Sequence, residues 1–130
     1  MLTSEIQNQI TNADARALAT TGPRGVNVVS VSVVAVTAEA IYLYDFFMGK
    51  TSENLQAESS VALAVWSGLV GVQVKATAEY VTTGDMFDAA TTEMLERFPD
   101  RTLRGVIVLT PQTVYDISAG ETAGTQLVGE

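Results

Sequence analysis

Three consecutive residues in the middle of the chain, Gly49, Lys50 and Thr51, combine a backbone without a side chain, a cation and a hydroxyl group. They lead into a short predicted helix, whose free N–H groups and dipole would favour a phosphate. A true P-loop needs another glycine five residues before Gly49, where this chain has Tyr44, so that motif is excluded. The chain has only two lysines, which makes the position of Lys50 informative. The alternative interpretation is that Thr51 only caps the helix and that Lys50 is solvated.

Two pairs of polar side chains lie on predicted strands. In the β-branched segment from Val28 to Val36, alternation places Ser30 and Ser32 on one face, about 7 Å apart. The opposite face then carries Val29, Val31 and Val33. Gln73 and Lys75 form a similar pair on a later strand. Both pairs are equally compatible with an ordinary solvent-facing strand, so the pattern alone leaves their role open.

One carboxylate occupies a position that suggests a role. Asp45 ends a predicted strand beside Phe46 and Phe47, where it could accept hydrogen bonds from the ring or hydroxyl of a ligand. Trp66, at the end of another strand, most often indicates core packing, although such a ring can also stack on a planar ligand. The remaining charges of the second half of the chain are predicted to lie on the surface without a function, and they include Glu93, Glu96, Arg97, Asp100, Arg101 and Arg104.

Composition excludes several classes of function. The chain has no Cys and no His, which removes thiolate nucleophiles, the usual neutral-pH base and the commonest metal ligands. A net charge of −8 opposes binding to nucleic acid. No apolar run approaches the roughly 18 residues of a membrane span, and no signal-like segment opens the sequence, so we expect a cytoplasmic protein that does not bind membranes.

Length and periodicity predict one domain, residues 1–130, that is mainly β with a few short helices. The predicted strands span residues 15–21, 26–36, 41–46, 61–66, 72–82 and 106–117, and the predicted helices span residues 1–13, 52–58 and 84–98. In the first helix, Ser4 and Gln7 have the spacing of a capping box. Pro111 indicates an edge or a bulge in the last strand. Hairpin pairs without regular βαβ alternation favour an antiparallel barrel, and the tail at 118–130 is expected to be mobile or to lie on a neighbouring surface.

Four stretches of the sequence carry a family resemblance. They are residues 17–32, with their Gly-Pro-Arg-Gly turn; residues 50–55, Lys-Thr-Ser-Glu-Asn-Leu; residues 71–79; and residues 114–116, Val-Tyr-Asp. In this order they resemble the first hairpin, the phosphate loop, the fifth strand and the closing strand of the FMN-binding split-barrel family, which includes pyridoxamine-5′-phosphate oxidase and small bacterial FMN-binding proteins. The resemblance covers about residues 15–127 and implies a six-stranded antiparallel split barrel, Greek-key-like and homodimeric.

The resemblance also implies a site for FMN in a groove at the homodimer interface. Lys50 and Thr51 would hold its phosphate, and Gln73 would reach the flavin from the same or the partner subunit. The ring and ribityl chain would lie against Val29, Ser30, Val31 and Ser32, and the pocket wall would be formed by Phe46, Phe47 and Met48. A homodimer is also expected from the mean hydropathy of +0.22 and from the strand at 61–66, which is apolar on both faces.

The function that follows is that of a flavin-dependent oxidoreductase with an unknown substrate. Two alternatives stay open: an FMN-binding electron carrier without its own substrate, and a flavin-free barrel that binds a deazaflavin or another small ligand. Many family members have Pro at the position of Ser30 and Gly at that of Ala76. The Arg and His residues that grip pyridoxal phosphate have no counterpart in the C-terminal segment, so oxidation of that substrate is not expected.

Overall fold

The computed structural model describes residues 1–129, which contain three helices and eight strands. The helices are α1 (Ser4–Asn12), α2 (Gly49–Ala57) and α3 (Asp85–Arg97). The strands are β1 (Ala15–Thr20), β2 (Asn27–Ser30), β3 (Val34–Val36), β4 (Ile41–Asp45), β5 (Ser60–Ser67), β6 (Val70–Val81), β7 (Gly105–Asp116) and β8 (Gln126–Val128). None of these helices has the length and hydrophobicity required to cross a membrane.

The strands form one antiparallel sheet in the order β2-β1-β5-β6-β7-β4-β3, with β8 added alongside β7. The sheet curls into a half-barrel, which confirms the mainly β, antiparallel barrel predicted from the sequence. The register of the β6–β7 pair shifts at Gln112, between Pro111 and Thr113. Of the two possibilities predicted at Pro111, an edge or a bulge, the structure has the bulge. The structure has eight strands rather than the predicted six. One additional strand arises because residues 26–36 form two strands, and the other is β8 in the segment 118–130.

The single strand predicted at 26–36 is wrong, because the structure divides it into β2 and β3. These strands lie at opposite ends of the sheet order, and residues 31–33 connect them. Arg16 holds the connection: its carbonyl accepts the N–H of Val31 at 3.0 Å, and its guanidinium donates to the carbonyl of Ser32 at 3.2 Å. The continuous β-branched pattern contained no turn residue that could reveal this break.

The part of the C-terminal tail that the structure describes, up to residue 129, folds back onto its own sheet. Thr122 and Thr125 form a turn, and β8 then pairs with β7. The tail is tied down at Asp116, whose N–H donates to the carbonyl of Thr125 at 2.8 Å and whose carbonyl accepts the N–H of Gly124 at 2.7 Å. The last predicted tail residue, Glu130, lies outside the described residues.

Helix α1 packs across one side of the barrel as predicted, with Leu2, Ile6 and Ile10 buried. The predicted capping box at Ser4 is wrong by one residue. Thr3 is the N-cap, and its Oγ1 accepts the N–H of Ile6 at 3.2 Å.

The sheet has an apolar cluster on each of its two faces. The larger one fills the barrel interior, and a smaller one lies between α3 and the outer face of β4 and β7. The connection between β2 and β3 contributes to both, since Val31 is buried in the larger cluster and Val33 in the smaller one. The position of this connection is therefore fixed from both sides of the sheet.

Candidate functional site

A cleft of about 460 Å³ opens beside the connection between β2 and β3. Its lining residues are Val29, Ser30, Ser32, Tyr44, Phe46, Phe47, Met48 and Arg101. Residues from two distant parts of the predicted site, the interrupted strand and the aromatic segment after β4, therefore share one cavity.

The side of the cleft formed by β2 carries hydroxyl groups. Ser30 and Ser32 are both exposed and both line the cleft, although the strand ends at Ser30. The prediction that Val29, Val31 and Val33 share the opposite face is wrong, because Val29 also lines the cleft and the other two valines are buried in separate apolar clusters. The Val31 side chain points into the barrel and is only 4% exposed, so only the backbone of this residue can face a ligand. Sheet pairing ends at Ser30, and the irregular connection that follows exposes polar side chains and backbone to the cleft.

The opposite wall consists of Phe46, Phe47 and Met48. Phe46 is buried and packs edge-on against Phe98, with ring centroids 5.9 Å apart, whereas Phe47 is 76% exposed. A partly exposed aromatic and thioether surface of this kind suits a planar ligand.

Asp45 stabilises this wall rather than facing the cleft. Its carboxylate is buried and accepts two hydrogen bonds, from the N–H of Met48 at 2.6 Å and from the hydroxyl of Tyr80 at 2.5 Å. The expectation that Asp45 accepts a hydrogen bond from a ligand therefore needs correction: the group is 1% exposed and already satisfied by the protein. Burial and this carboxylate together raise the pKa of Tyr80 well above its usual value.

The first turn of α2 begins where the aromatic wall ends. The first hydrogen bond of the helix runs from the N–H of Ser52 to the carbonyl of Met48 at 2.8 Å. The N–H groups of residues 49–51 therefore precede the hydrogen-bonded helix and point out of its N-terminus. Lys50 is exposed on this turn. The turn thus presents amide donors and a cation next to the cleft.

Thr51 has a different role from the one expected of its hydroxyl group. The residue is fully buried, and its Oγ1 accepts a hydrogen bond from the side-chain amide of Asn27 at 3.1 Å. The side chain thus fixes α2 against the start of β2, and only the backbone N–H of Thr51 can contribute to an anion site. The proposed phosphate contact through its hydroxyl is corrected accordingly.

Asn54, which the sequence analysis did not single out, connects α2 to the first hairpin. Its buried amide donates to Thr20 Oγ1 at 3.1 Å and to the carbonyl of Gly25 at 3.0 Å, and its Oδ1 accepts the N–H of Arg24 at 2.9 Å. The Gly-Pro-Arg-Gly turn is thereby fastened to the helix that carries Lys50. An asparagine in a short polar helix gives no local signal of such long-range contacts.

Arg101 is a further residue that sequence reasoning placed on the surface without a function. Its guanidinium lies 4.3 Å from the centroid of the Phe98 ring and 5.3 Å from that of Phe46, and the side chain lines the cleft. It is the one charged residue among those lining this cavity. Beside it, burial raises the pKa of the Tyr44 phenol above its ordinary value.

Gln73 does not reach the cleft within one chain. It lies on β6 opposite Tyr115, in a separate open groove of about 400 Å³ that Lys75 also lines. Lys75 Nζ is 5.7 Å from the Tyr115 ring centroid. A contact between Gln73 and a ligand in the cleft remains a prediction that requires a second copy of the chain.

The sequence matches the family model of pyridoxamine 5′-phosphate oxidase over residues 2–118, so the chain belongs to this family. No curated protein matches it in sequence.

Several solved structures share the fold. HupZ of Group A Streptococcus is 21% identical with a TM-score of 0.80, covering 95% of this chain and 100% of its own. An FMN-binding protein from Syntrophomonas wolfei is 18% identical with a TM-score of 0.75, covering 89% and 86%. A putative pyridoxamine 5′-phosphate oxidase from Lactobacillus delbrueckii is 26% identical with a TM-score of 0.69, covering 88% and 93%.

The same fold also occurs in proteins described by other cofactors. HutZ, the heme storage protein from Vibrio cholerae, is 17% identical with a TM-score of 0.66, covering 88% of this chain and 93% of its own. An F420 reductase is 19% identical with a TM-score of 0.64, covering 87% and 98%. The fold alone therefore does not identify the cofactor, which has to be inferred from the residues of the cleft.

Proposed function

We propose that this protein is an FMN-binding flavoprotein of the pyridoxamine 5′-phosphate oxidase family that acts as a flavin-dependent oxidoreductase. The observation that carries the proposal is the continuity of the cleft with the first turn of α2. Met48 lines the cleft, and the next residues are the amide donors and Lys50 of that turn. A ligand with a planar ring and an anionic end fits such an arrangement.

The dimensions support this assignment. The cleft volume of about 460 Å³ lies within the range of small-molecule and cofactor sites. Thr51 is bonded to Asn27 at the start of β2, and Ser30 at the end of that strand lines the cleft. Three residues of extended chain separate these two points by about 10 Å. The phosphate and the ring of FMN are separated by a ribityl chain that can bridge such a distance.

In this arrangement each part of the site has a distinct role. Lys50 and the N–H groups of residues 49–51 would hold the phosphate, the backbone and hydroxyls of residues 29–32 would lie along the ribityl chain and ring, and residues 46–48 would exclude water from one side. Bound FMN supplies the redox chemistry. The absence of His and Cys from the chain is compatible with this division, since the protein then provides binding and orientation.

The absence of His and Cys also bears on heme. His and Cys, two of the side chains that ligate heme iron in proteins, are both missing from this chain. A deazaflavin, by contrast, has the same ring shape as a flavin and is the principal competing occupant.

We further propose that the site is completed in a homodimer. Val26, Val28 and Phe47 are 84%, 62% and 76% exposed, and Phe47 lines the cleft directly. Apolar side chains exposed to this degree near a cavity favour coverage by a partner. A second copy is also required if Gln73 is to contact the flavin. Sedimentation of a monomer at micromolar concentration, with or without FMN, would count against a shared site.

The proposal is tested by purifying the protein and recording its visible absorption spectrum, then identifying by mass spectrometry what denaturation releases. Apoprotein is next titrated with FMN, riboflavin, a deazaflavin and heme. Tighter binding of FMN than of the other three supports the proposal, and preferential binding of deazaflavin or heme contradicts it. Reduction of the bound flavin by a nicotinamide would distinguish an enzyme from an electron carrier.

A further inference from the structure

The buried carboxylate of Asp45 and the hydroxyl of the half-buried Tyr80 form a hydrogen-bonded pair that the proposed site does not use directly. Asp45 is the last residue of β4, and Tyr80 lies on β6 with β7 between these two strands. Neighbouring strands are about 4.8 Å apart, so the pair spans two strand spacings. A direct hydrogen bond across this distance is possible only if the intervening strand leaves room for the tyrosine ring.

Gly105 on β7 provides this gap. It is the register partner of Asp45, while Tyr80 pairs with Ile107 two residues further along β7. A Cβ atom built on Gly105 would overlap the ring of Tyr80, at its Cζ and hydroxyl oxygen. Only a residue without a side chain therefore lets the Tyr80 ring pass over β7 and reach Asp45. The φ angle of Gly105 is ordinary, so close approach rather than backbone conformation requires glycine here.

The other oxygen of the same carboxylate holds the wall of the cleft. It accepts the N–H of Met48, three residues along the chain, and so closes a turn over residues 45–48. That turn contains Phe46 and Phe47 and ends at the residue preceding α2. Met48 itself supplies no side-chain cap to α2, and Asp45 holds the backbone of this residue at the entry to the helix.

We propose that Asp45, Tyr80 and Gly105 form a positioning unit that sets the aromatic wall of the cleft and the first turn of α2 relative to the sheet. The inference rests on the proposed FMN site for its functional consequence. The structural part of the proposal does not depend on the ligand. It says that Tyr80, on the far side of β7, keeps residues 46–51 ordered through Asp45. These are positioning residues, because none of the three residues lines the cleft.

The central test is Tyr80→Phe, which keeps the ring in the Gly105 gap and removes only the donor to Asp45. Tyr42→Phe is the matched control, since Tyr42 is a half-buried tyrosine of β4 without a side-chain hydrogen bond among the described residues. Hydrogen exchange is measured on both variants without flavin. We expect faster exchange in the peptide covering residues 46–51 of Tyr80→Phe than in wild type or Tyr42→Phe. Unchanged exchange in that peptide would overturn the proposal.

The consequence for the ligand is measured separately. We expect the Kd for FMN of Tyr80→Phe to rise by roughly five- to tenfold at a temperature well below its Tm. The variant loses the hydrogen bond that the Tyr80 hydroxyl donates to the Asp45 carboxylate, and the expected change corresponds to part of the free energy of one such bond to a charged group. The visible circular dichroism of the bound flavin should change as well. A lower Tm with unchanged Kd and circular dichroism would mean that the pair serves stability alone, which overturns the positioning role.

Gly105→Ala tests the same unit from the other side. It leaves both hydrogen-bonding groups in place and displaces the Tyr80 ring, so its exchange and binding changes should resemble those of Tyr80→Phe. If wild-type protein binds no flavin, the proposed function fails while the exchange experiment still decides the positioning of residues 46–51. The two failures are therefore distinguishable.

Discussion

Replacement of Lys50 by alanine tests the phosphate end of the proposed site. Lys50 is exposed and takes part in none of the ion pairs formed among residues 1–129. Its removal should therefore leave the fold and the Tm nearly unchanged. The N–H groups of residues 49–51 remain in the variant, so the site loses its ammonium group and keeps its backbone donors.

The expected loss of affinity follows from the exposure of the side chain. A hydrogen bond between charged groups contributes about 1.5 to 3 kcal/mol. Because Lys50 is exposed to solvent, which screens such an interaction, we expect the lower end of this range, about 1.5 kcal/mol or a tenfold increase in Kd. The protein carries a net charge of −8, which repels a phosphate dianion and makes a local cation more important at low ionic strength. The loss should therefore shrink as salt is added.

The assay is a fluorescence titration of apoprotein with FMN and, in parallel, with riboflavin, which lacks the phosphate. Lys50→Ala should weaken FMN binding about tenfold and leave riboflavin binding unchanged. Arg97→Gln is the control, since it removes the same charge from the outer side of α3, where Arg97 lies 3.8 Å from Glu93. Equal weakening for both flavins, an unchanged Kd for FMN, or the same loss in Arg97→Gln would refute a specific contact between Lys50 and the phosphate.

Three further predictions concern stability and titration. Asn54→Ala removes three hydrogen bonds at a buried position and should lower the free energy of unfolding by about 2 to 4 kcal/mol in urea denaturation; a loss under 1 kcal/mol would contradict this role. Thr3→Ala should cost about 1 kcal/mol through loss of the cap, whereas Ser4→Ala should cost much less, and equal effects would show that the cap is wrongly assigned. Hydrogen bonds from the Thr122 hydroxyl and from the backbone N–H of Ser118 hold the pKa of the Asp116 carboxyl below its usual 3.8. The stability that this carboxylate contributes is therefore fully present above pH 3.8 and is lost as the pH falls through the folded pKa. An NMR titration of the carboxyl group that gives a pKa of 3.8 or higher would contradict this.

Local patterns in the sequence were sufficient for the elements that bury one face. The spacing of Leu2, Ile6 and Ile10 predicted the buried side of α1, and the alternation along β6 predicted its inward residues from Val72 to Ala78. The aromatic segment and Lys50 were identified together because they are adjacent in sequence. Periodicity reports which side of an element is buried, and in these cases the burial is determined within the element itself.

Contacts between distant segments could not be predicted in the same way. The division of residues 26–36 depends on Arg16, which bonds to the connection from another strand, and nothing in the local pattern indicates it. The roles of Asn54 and Arg101 likewise depend on partners that lie far away in the sequence or on the packing of α3. Thr51 was misjudged for a related reason, since a hydroxyl at a helix start can face outward to a ligand or inward to Asn27. Only the packing of α2 against β2 decides between them.

The interrupted strand explains why a barrel of this kind keeps an open cleft. Although only residues 31–33 separate them, β2 and β3 do not pair with each other, and each lies at an end of the sheet order. Val31 and Val33 anchor the connection in separate apolar clusters, which stabilises it without closing the gap. The serines that alternate with them must then face the opening. The same alternation of Ser and Val that resembles an ordinary surface strand thus produces a polar wall opposite an aromatic one, and a ligand that fills the cleft contacts both.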